Sequence, residues 1–191
     1  MKYHNLGQYR TINQFVNYKL ESLKNSEDSF EALFDLMFSE RDNVIYEYAY
    51  GYDKKQITYG ESKDQAILLS KKIAGLNLPH HSVIAIYLDN NVAWVETFWA
   101  ILRSGHHPLL LNMRLDDASL SEAIKETNCQ LVITNGKKFL IPYITFKDLV
   151  SKEEKEISGE WGEEILFMSS GTSENVKICA YTAVEIKSNS S

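Results

Sequence analysis

Leu6, Tyr9, Ile12, Phe15, Val16, Leu20 and Leu23 recur mostly at steps of three and four residues. That spacing puts them on one face of an amphipathic helix. Ser29 precedes a shorter apolar set, Phe30, Leu33, Phe34 and Met37, and its hydroxyl predicts a helix N-cap. Residues 43–52, rich in Val, Ile and Tyr, read as a strand followed by a Gly/Asp turn. Thr58 and Glu61 stand three apart, the spacing of a capping box. A helix is predicted from there through Ala66, Leu69 and Ile73, stopping at Gly75. The middle of the chain has the clearest pattern. Residues 82–88 (SVIAIYL) form a continuous apolar run of strand length. Asn90 or Asn91 can cap a helix carrying Val92, Val95, Phe98, Trp99 and Leu102, and Gly105 ends it. Residues 107–111 (HPLLL) form a second strand. Asp116 and Asp117 open a helix with Leu120, Ala123 and Ile124. Residues 130–134 (QLVIT) form a third strand, closed by Asn135-Gly136. Strand, helix, strand, helix, strand at these lengths predicts a parallel βαβαβ unit with buried strands and right-handed crossovers.

The rest of the chain is less regular. Residues 140–146 hold a short apolar segment, and 151–162 (SKEEKEISGEWG) read as a solvated connection. Residues 164–169 and 176–182 read as two more strands, and 187–191 as a frayed tail.

Composition narrows the classes. The chain has 191 residues, 44% hydrophobic and 24% charged, enough for one globular domain. A net charge of −6 and the lack of a basic run argue against nucleic acid and against a membrane surface as partners. No stretch approaches the roughly 18 apolar residues of a bilayer span, and the first residues lack a signal-peptide core. Cys129 and Cys179 are too few for a disulfide framework. Both are read as free thiols buried as small hydrophobes in a cytoplasmic protein.

Between the last two predicted strands runs FMSSGTSENVKICAYT, residues 167–182. Gly171 lets backbone N–H groups approach an anion closely. Ser169, Ser170, Thr172 and Ser173 can donate hydrogen bonds to phosphate oxygens, and Lys177 adds a compact positive charge. The stretch is not a Walker A loop: Val176 precedes the lysine, Ile178 follows it, and a strand pattern comes next rather than a helix. A plain hairpin loop and a phosphate-holding loop both remain open on these residues alone. The first strong strand ends in Leu88-Asp89-Asn90-Asn91 without a glycine-rich turn, which excludes a dinucleotide fold. His80-His81 and His106-His107 are adjacent pairs without ligand spacing, and read as ordinary histidines rather than metal ligands. Trp94 and Trp99 read as packing residues, and Asp89 and Glu96 show no acid–base pairing.

The order of these pieces resembles the N-terminal portion of the acyl-adenylate-forming, AMP-dependent synthetase/ligase family. The residues that carry the likeness are Ile57 through Glu61, then SVIAIYLDNNVAWVETFWAILRSGHHPLLLN, then LSEAIKETNCQLVITN, and finally Ser169-Ser170-Gly171-Thr172-Ser173 with Lys177. The likeness covers about residues 43–182. It implies an α/β fold: the N-terminal segment of the adenylate-forming fold, with a parallel βαβαβ unit and a terminal β-hairpin phosphate loop. It also implies an organisation of 1–42 as an N-terminal helical segment, 43–182 as a partial AMP-binding domain and 183–191 as a disordered tail.

Members of this family join a carboxylate to AMP with ATP and Mg2+, releasing pyrophosphate, and most pass the acyl group to the thiol of CoA or of a carrier protein. Carried over, Ser169, Ser170, Gly171, Thr172, Ser173 and Lys177 are ATP-phosphate contacts. No catalytic residue or metal ligand is assigned. Three departures stand out: Glu174 where the family has glycine, Val176 where it has proline, and Ile178 where it has glycine. A carboxylate at Glu174 repels phosphate unless it points away or helps hold magnesium.

The expectation is therefore a truncated fragment of an ATP-dependent ligase, of the acyl-CoA synthetase or peptide-synthetase adenylation type, that does not complete the reaction alone. Its partners would be ATP, a carboxylic acid and a complementing C-terminal chain. Two other readings stand beside it. One is a non-catalytic nucleotide- or protein-binding module that kept the fold and lost the chemistry. The other is a product without function, with an open sheet edge and poor solubility.

Overall fold

The computed structural model describes residues 11–50, 53–169 and 177–189. In chain order the elements are α1 (Ile12–Asn25), α2 (Phe30–Met37), β1 (Val44–Tyr50), β2 (Asp53–Thr58) and α3 (Tyr59–Ala74). Then come β3 (Val83–Tyr87), α4 (Val92–Arg103), β4 (His107–Leu110), α5 (Asp117–Glu126) and β5 (Leu131–Thr134). The last are β6 (Tyr143–Thr145), α6 (Phe146–Val150), β7 (Glu164–Ser169), β8 (Lys177–Thr182) and α7 (Ala183–Asn189). The chain divides into two compact units, residues 1–65 with 183–191, and residues 66–182.

In the first unit, Thr11 caps α1 and Ser29 caps α2, each hydroxyl accepting a backbone N–H three residues on. The beginning of the long α1 pattern, Leu6 and Tyr9, lies outside the described residues. β1 and β2 form an antiparallel two-stranded ribbon. The sequence pattern missed β2, because Asp53, Lys54, Lys55 and Gln56 are polar and become a strand only by pairing with β1. The capping box forms: the Glu61 N–H donates to the Thr58 hydroxyl at 3.1 Å, and Glu61 Oε2 accepts the Thr58 N–H at 2.8 Å. The frayed tail expected at the C-terminal end is instead helix α7 through Asn189. Ala183 is buried, and the Lys187 ammonium donates to the Ser26 carbonyl and pairs with Asp28. That anchorage is tertiary, so a local sequence window does not reveal it.

The second unit is built on a six-stranded sheet of order β6-β5-β3-β4-β7-β8. β3, β4, β5, β6 and β7 run parallel, and β8 returns antiparallel on β7. The predicted parallel unit is its centre. Alternate residues of β3 face opposite layers, as the period of two requires. Ile84 and Ile86 pack with Leu69 and Ile73 of α3, Ala100 and Ile101 of α4 and Leu149 of α6. Ala85 packs on the other face with Leu109, Val132, and Leu120, Ala123 and Ile124 of α5. Helices on both faces explain why β3, β4 and β5 read as unbroken apolar runs. Asn91 caps α4 through the Ala93 N–H, and Asp116 caps α5 through the Ser119 N–H. Gly105, with φ of 80°, ends α4 in the left-handed region that glycine enters without cost.

Candidate functional site

The predicted pair of strands around the serine-rich loop forms as β7 and β8. β7 aligns with β4 through Leu109↔Leu166 and Leu110↔Phe167. Its carboxyl end therefore points to the same edge as those of β3, β4 and β5. β8 pairs back from Lys177↔Ser169 to Thr182↔Glu164 without a break in register. The Phe167 and Tyr181 rings stack across the hairpin, 5.0 Å between centroids.

Ser169 ends β7 and Lys177 opens β8, as directly opposed positions, a spacing of about 5 Å between Cα atoms. Lys177 is exposed. The other candidates, Ser170, Gly171, Thr172 and Ser173, lie in 170–176, outside the described residues, as do Glu174 and Val176. The hairpin thus brings the two ends of the candidate loop together at the carboxyl edge of a parallel sheet.

The strand order gives that edge a second property. From β3 the chain crosses to β4 on one side, and from β4 it crosses back over β3 to β5. The helices of these two crossovers, α4 and α5, lie on opposite faces. The connections leave in opposite directions between β3, which leads to β4, and its other neighbour β5, which leads to β6, and in open α/β sheets ligands bind in the crevice at such a point. The side chains beside it are polar. Asp89, just after β3, accepts a hydrogen bond from the Asn135 amide, just after β5, at 2.8 Å. Asn112, just after β4, accepts the Arg114 N–H at 3.0 Å. Thr134 accepts the Gly136 and Lys137 N–H groups. The Lys137 ammonium bonds Asp117 at 2.6 Å, which holds its pKa above the ordinary lysine value.

The sequence reads Asp89 as showing no acid–base pairing and Asn135 as a turn residue, without linking the two. They are 46 positions apart, and only the parallel pairing of β3 with β5 makes them neighbours. Such an edge can present hydrogen-bond donors and a cation to a polyanion. Among the described residues, no group of three or more His, Cys, Asp or Glu side chains is placed to hold a metal ion. A magnesium ion arriving on a triphosphate brings phosphate and water ligands with it and needs only one or two carboxylates.

The histidines gather at the opposite, amino edge. Val83 pairs with His107, so the residues before β3 and at the start of β4 are neighbours. The His81 and His107 rings stack at 5.4 Å and 19°. His107 Nδ1 accepts the Glu164 N–H at 3.4 Å, and His80 Nδ1 lies 3.8 Å from Glu160. His106 is 5% exposed, and its Nδ1 has no hydrogen-bond partner. Burial, with the neighbouring histidines adding to it, pushes its pKa down to about 4.

Cys129 is buried as expected, and burial raises its thiol to about 11. Cys179 is only half-buried, because β8 is an edge strand with one neighbour. No helix among the described residues is long and apolar enough to cross a membrane.

Residues 38–180, three quarters of the chain, match the family model described as AMP-binding enzyme. The chain belongs to that family. A curated relative of this AMP-binding family member, a 4-hydroxybenzoate–CoA/benzoate–CoA ligase of Rhodopseudomonas palustris, is 25% identical over 84 residues, 44% of the chain and 16% of the relative. Among solved structures, o-succinylbenzoate CoA synthetase from Bacillus subtilis, in complex with its acyl-adenylate intermediate, superimposes with a TM-score of 0.61 at 19% identity. That match covers 67% of this chain and 37% of the synthetase, which has also been solved with ATP and magnesium ion. The N-terminal subdomain of NpsA from Klebsiella oxytoca gives a TM-score of 0.65 at 14% identity, over 84% of this chain and 42% of that one. The fold is thus the α/β adenylate-forming fold, with a largely parallel mixed sheet. This AMP-binding chain spans 16% of the curated relative's length and about two fifths of these two structures.

Proposed function

We propose that this chain supplies the triphosphate-holding part of an ATP-dependent carboxylate adenylation, with ATP–Mg2+ held by Ser169, Ser170, Gly171, Thr172, Ser173 and Lys177. The observation that carries the reading is the β7–β8 hairpin. It sets Ser169 opposite Lys177 at the carboxyl edge of the sheet, inside the span matched to the AMP-binding family.

Hydroxyls, loop N–H groups and the Lys177 ammonium stabilise charge on the β- and γ-phosphates as the carboxylate attacks the α-phosphate and pyrophosphate leaves. Magnesium neutralises part of the same charge. Residues 43–182 act as the nucleotide-binding portion, in the cytoplasm, and 1–42 as a separate helical segment. The acid-binding residues and the remaining machinery belong to sequence that these 191 residues do not hold, so a complementing chain or segment is needed for turnover. Alone, the chain binds ATP–Mg2+ and does not form acyl-adenylate.

Calorimetric titration of the purified chain with ATP–Mg2+, beside Lys177→Ala, tests this. Binding that weakens about tenfold in the variant is expected. Equal binding by both proteins, or none by either, would overturn the loop assignment. Acyl-adenylate formation by the chain alone would overturn the need for a partner.

A second reading, a binding module that has lost the chemistry, is favoured by Glu174 in place of the family's glycine. Under it, Glu174→Gly tightens ATP binding, yet no complementing segment restores turnover.

A further inference from the structure

The amino edge of the main sheet carries a cavity of about 290 Å3, at the small end of ligand sites, which run from roughly 300 to 1,000 Å3. All of its lining residues belong to the second compact unit. His106, between α4 and β4, forms part of its wall, and residues 155–158, between α6 and β7, form another part.

The decisive group is the His106 imidazole. It is 5% exposed, and its Nδ1 is a buried side-chain atom without a hydrogen-bond partner. Such an atom is costly to leave unpaired, and a ligand seated against it can supply the missing bond.

The other polar groups on the wall decide what that ligand is. Asn77 is engaged at both ends of its amide: the Nδ2 group donates to the Gly75 carbonyl at 3.0 Å, and Oδ1 accepts the Lys155 ammonium at 2.7 Å. The Ser104 hydroxyl donates to the Ile101 carbonyl at 2.9 Å. What remain are donors. The Lys155 ammonium has two further N–H groups and, among the described residues, no carboxylate partner. The Ser158 hydroxyl accepts the Glu160 N–H at 3.3 Å and keeps its own proton to give. The carboxylate on the wall, Glu156, lies 3.5 Å from the Lys71 ammonium with its side chain 88% exposed, so its charge stands in solvent beside a lysine. A cation would meet Lys155. An oxyanion meets that cation, a hydroxyl donor and an imidazole nitrogen that carries a proton in one of its two neutral tautomers.

We propose that this cavity binds a compact oxyanion, a phosphate- or carboxylate-type group, held by Lys155, Ser158 and His106. The site lies at the other end of the strands from the candidate ATP loop and would stand if the nucleotide reading fell.

NMR titration of the full chain with sulfate and with acetate, at ionic strength matched by chloride, tests the assignment. The signals followed are the His106 imidazole and the Ser158 N–H, so that an anion at the loop between β7 and β8 is not counted. Saturating shifts with a Kd in the millimolar range are expected for at least one of the two anions. Sulfate ahead of acetate would mark a tetrahedral, phosphate-type ligand, and the reverse order a carboxylate. Lys155→Met should weaken binding about tenfold. Lys152→Met, off the wall, and Lys177→Ala should leave it unchanged. His106→Leu, read at Ser158, should weaken it as well; should that variant fail to fold, Lys155→Met decides. No saturating shift with either anion, the same shift with chloride alone, or indifference to Lys155→Met would each overturn the proposal.

Discussion

The two edges of the main sheet are made from the same strands and differ in almost every chemical respect. At the carboxyl edge, Asp89 after β3 accepts the Asn135 amide after β5, while Asn112 and Thr134 accept backbone N–H groups, and the β7–β8 pairing sets Ser169 opposite Lys177 there. At the amino edge four histidines come together, and one of them is buried with an unsatisfied nitrogen. The first edge carries the two ends of the candidate loop. At the second, the Gly162 N–H donates to the Leu102 carbonyl at 2.7 Å, bringing the segment before β7 against the end of α4, and His80 and His106 line a cavity of about 290 Å3. The difference teaches that one parallel sheet can set two unlike chemistries at the two ends of the same strands.

The largest effect should come from breaking the amino edge. A Cβ built on Gly162 would lie 1.9 Å from the His106 carbonyl oxygen, so Gly162→Ala must displace backbone. A loss of about 3 kcal/mol or more is expected, read as a fall in Tm of about 6–12 °C. A Tm within 2 °C of the parent would mean that the contact relaxes at little cost.

The next effect is pH dependence at the same edge. His106 has a folded pKa of about 4 against an ordinary 6.5. Above pH 6.5 it is neutral in both states and stability is at its full value. As pH falls from 6.5 towards 4 the unfolded chain takes up a proton that the folded chain refuses, so stability declines. The total is on the order of 3 kcal/mol, complete below pH 4. Denaturant midpoints from pH 7.5 to 4.5 should fall in the parent and fall less in His106→Leu. Parallel slopes would remove His106 as the cause.

Smaller effects sharpen the carboxyl edge. Lys177→Ala should leave stability within about 0.5 kcal/mol, as for an exposed residue, while costing ATP affinity. A matching drop in Tm would show the lysine to be a folding residue instead. Asn135→Ala, which removes the bond to Asp89, should cost about 1 kcal/mol or less. A larger loss would mean that the link between the ends of β3 and β5 is structural rather than part of a binding rim.

The centre of the main sheet was legible in the sequence because its signals are local: the caps at Asn91 and Asp116 stand beside their helices, and β3 and β5 announce burial by unbroken apolar runs. Of the candidate loop, the structure describes only Ser169 and Lys177. What stayed hidden depends on pairing across distance. β2 is polar and exists through β1, α7 is anchored by Lys187 on residues 159 and 161 positions away, and the Asp89–Asn135 bond needs the strand order. The histidines were visible as two pairs. Their grouping into one cluster follows from β3 lying beside β4, and both His106 and His107 are buried there.

The unbroken register of β7 with β8 has a consequence for engineering. Because positions 169 and 177 face each other as the last rung of the ladder, the seven residues joining them form an exchangeable cassette with fixed splice points. A loop with glycine at 174 and proline at 176 could be grafted between those rungs without altering any pair of the sheet below. The natural sequence and the graft could then be compared as two inserts in one frame.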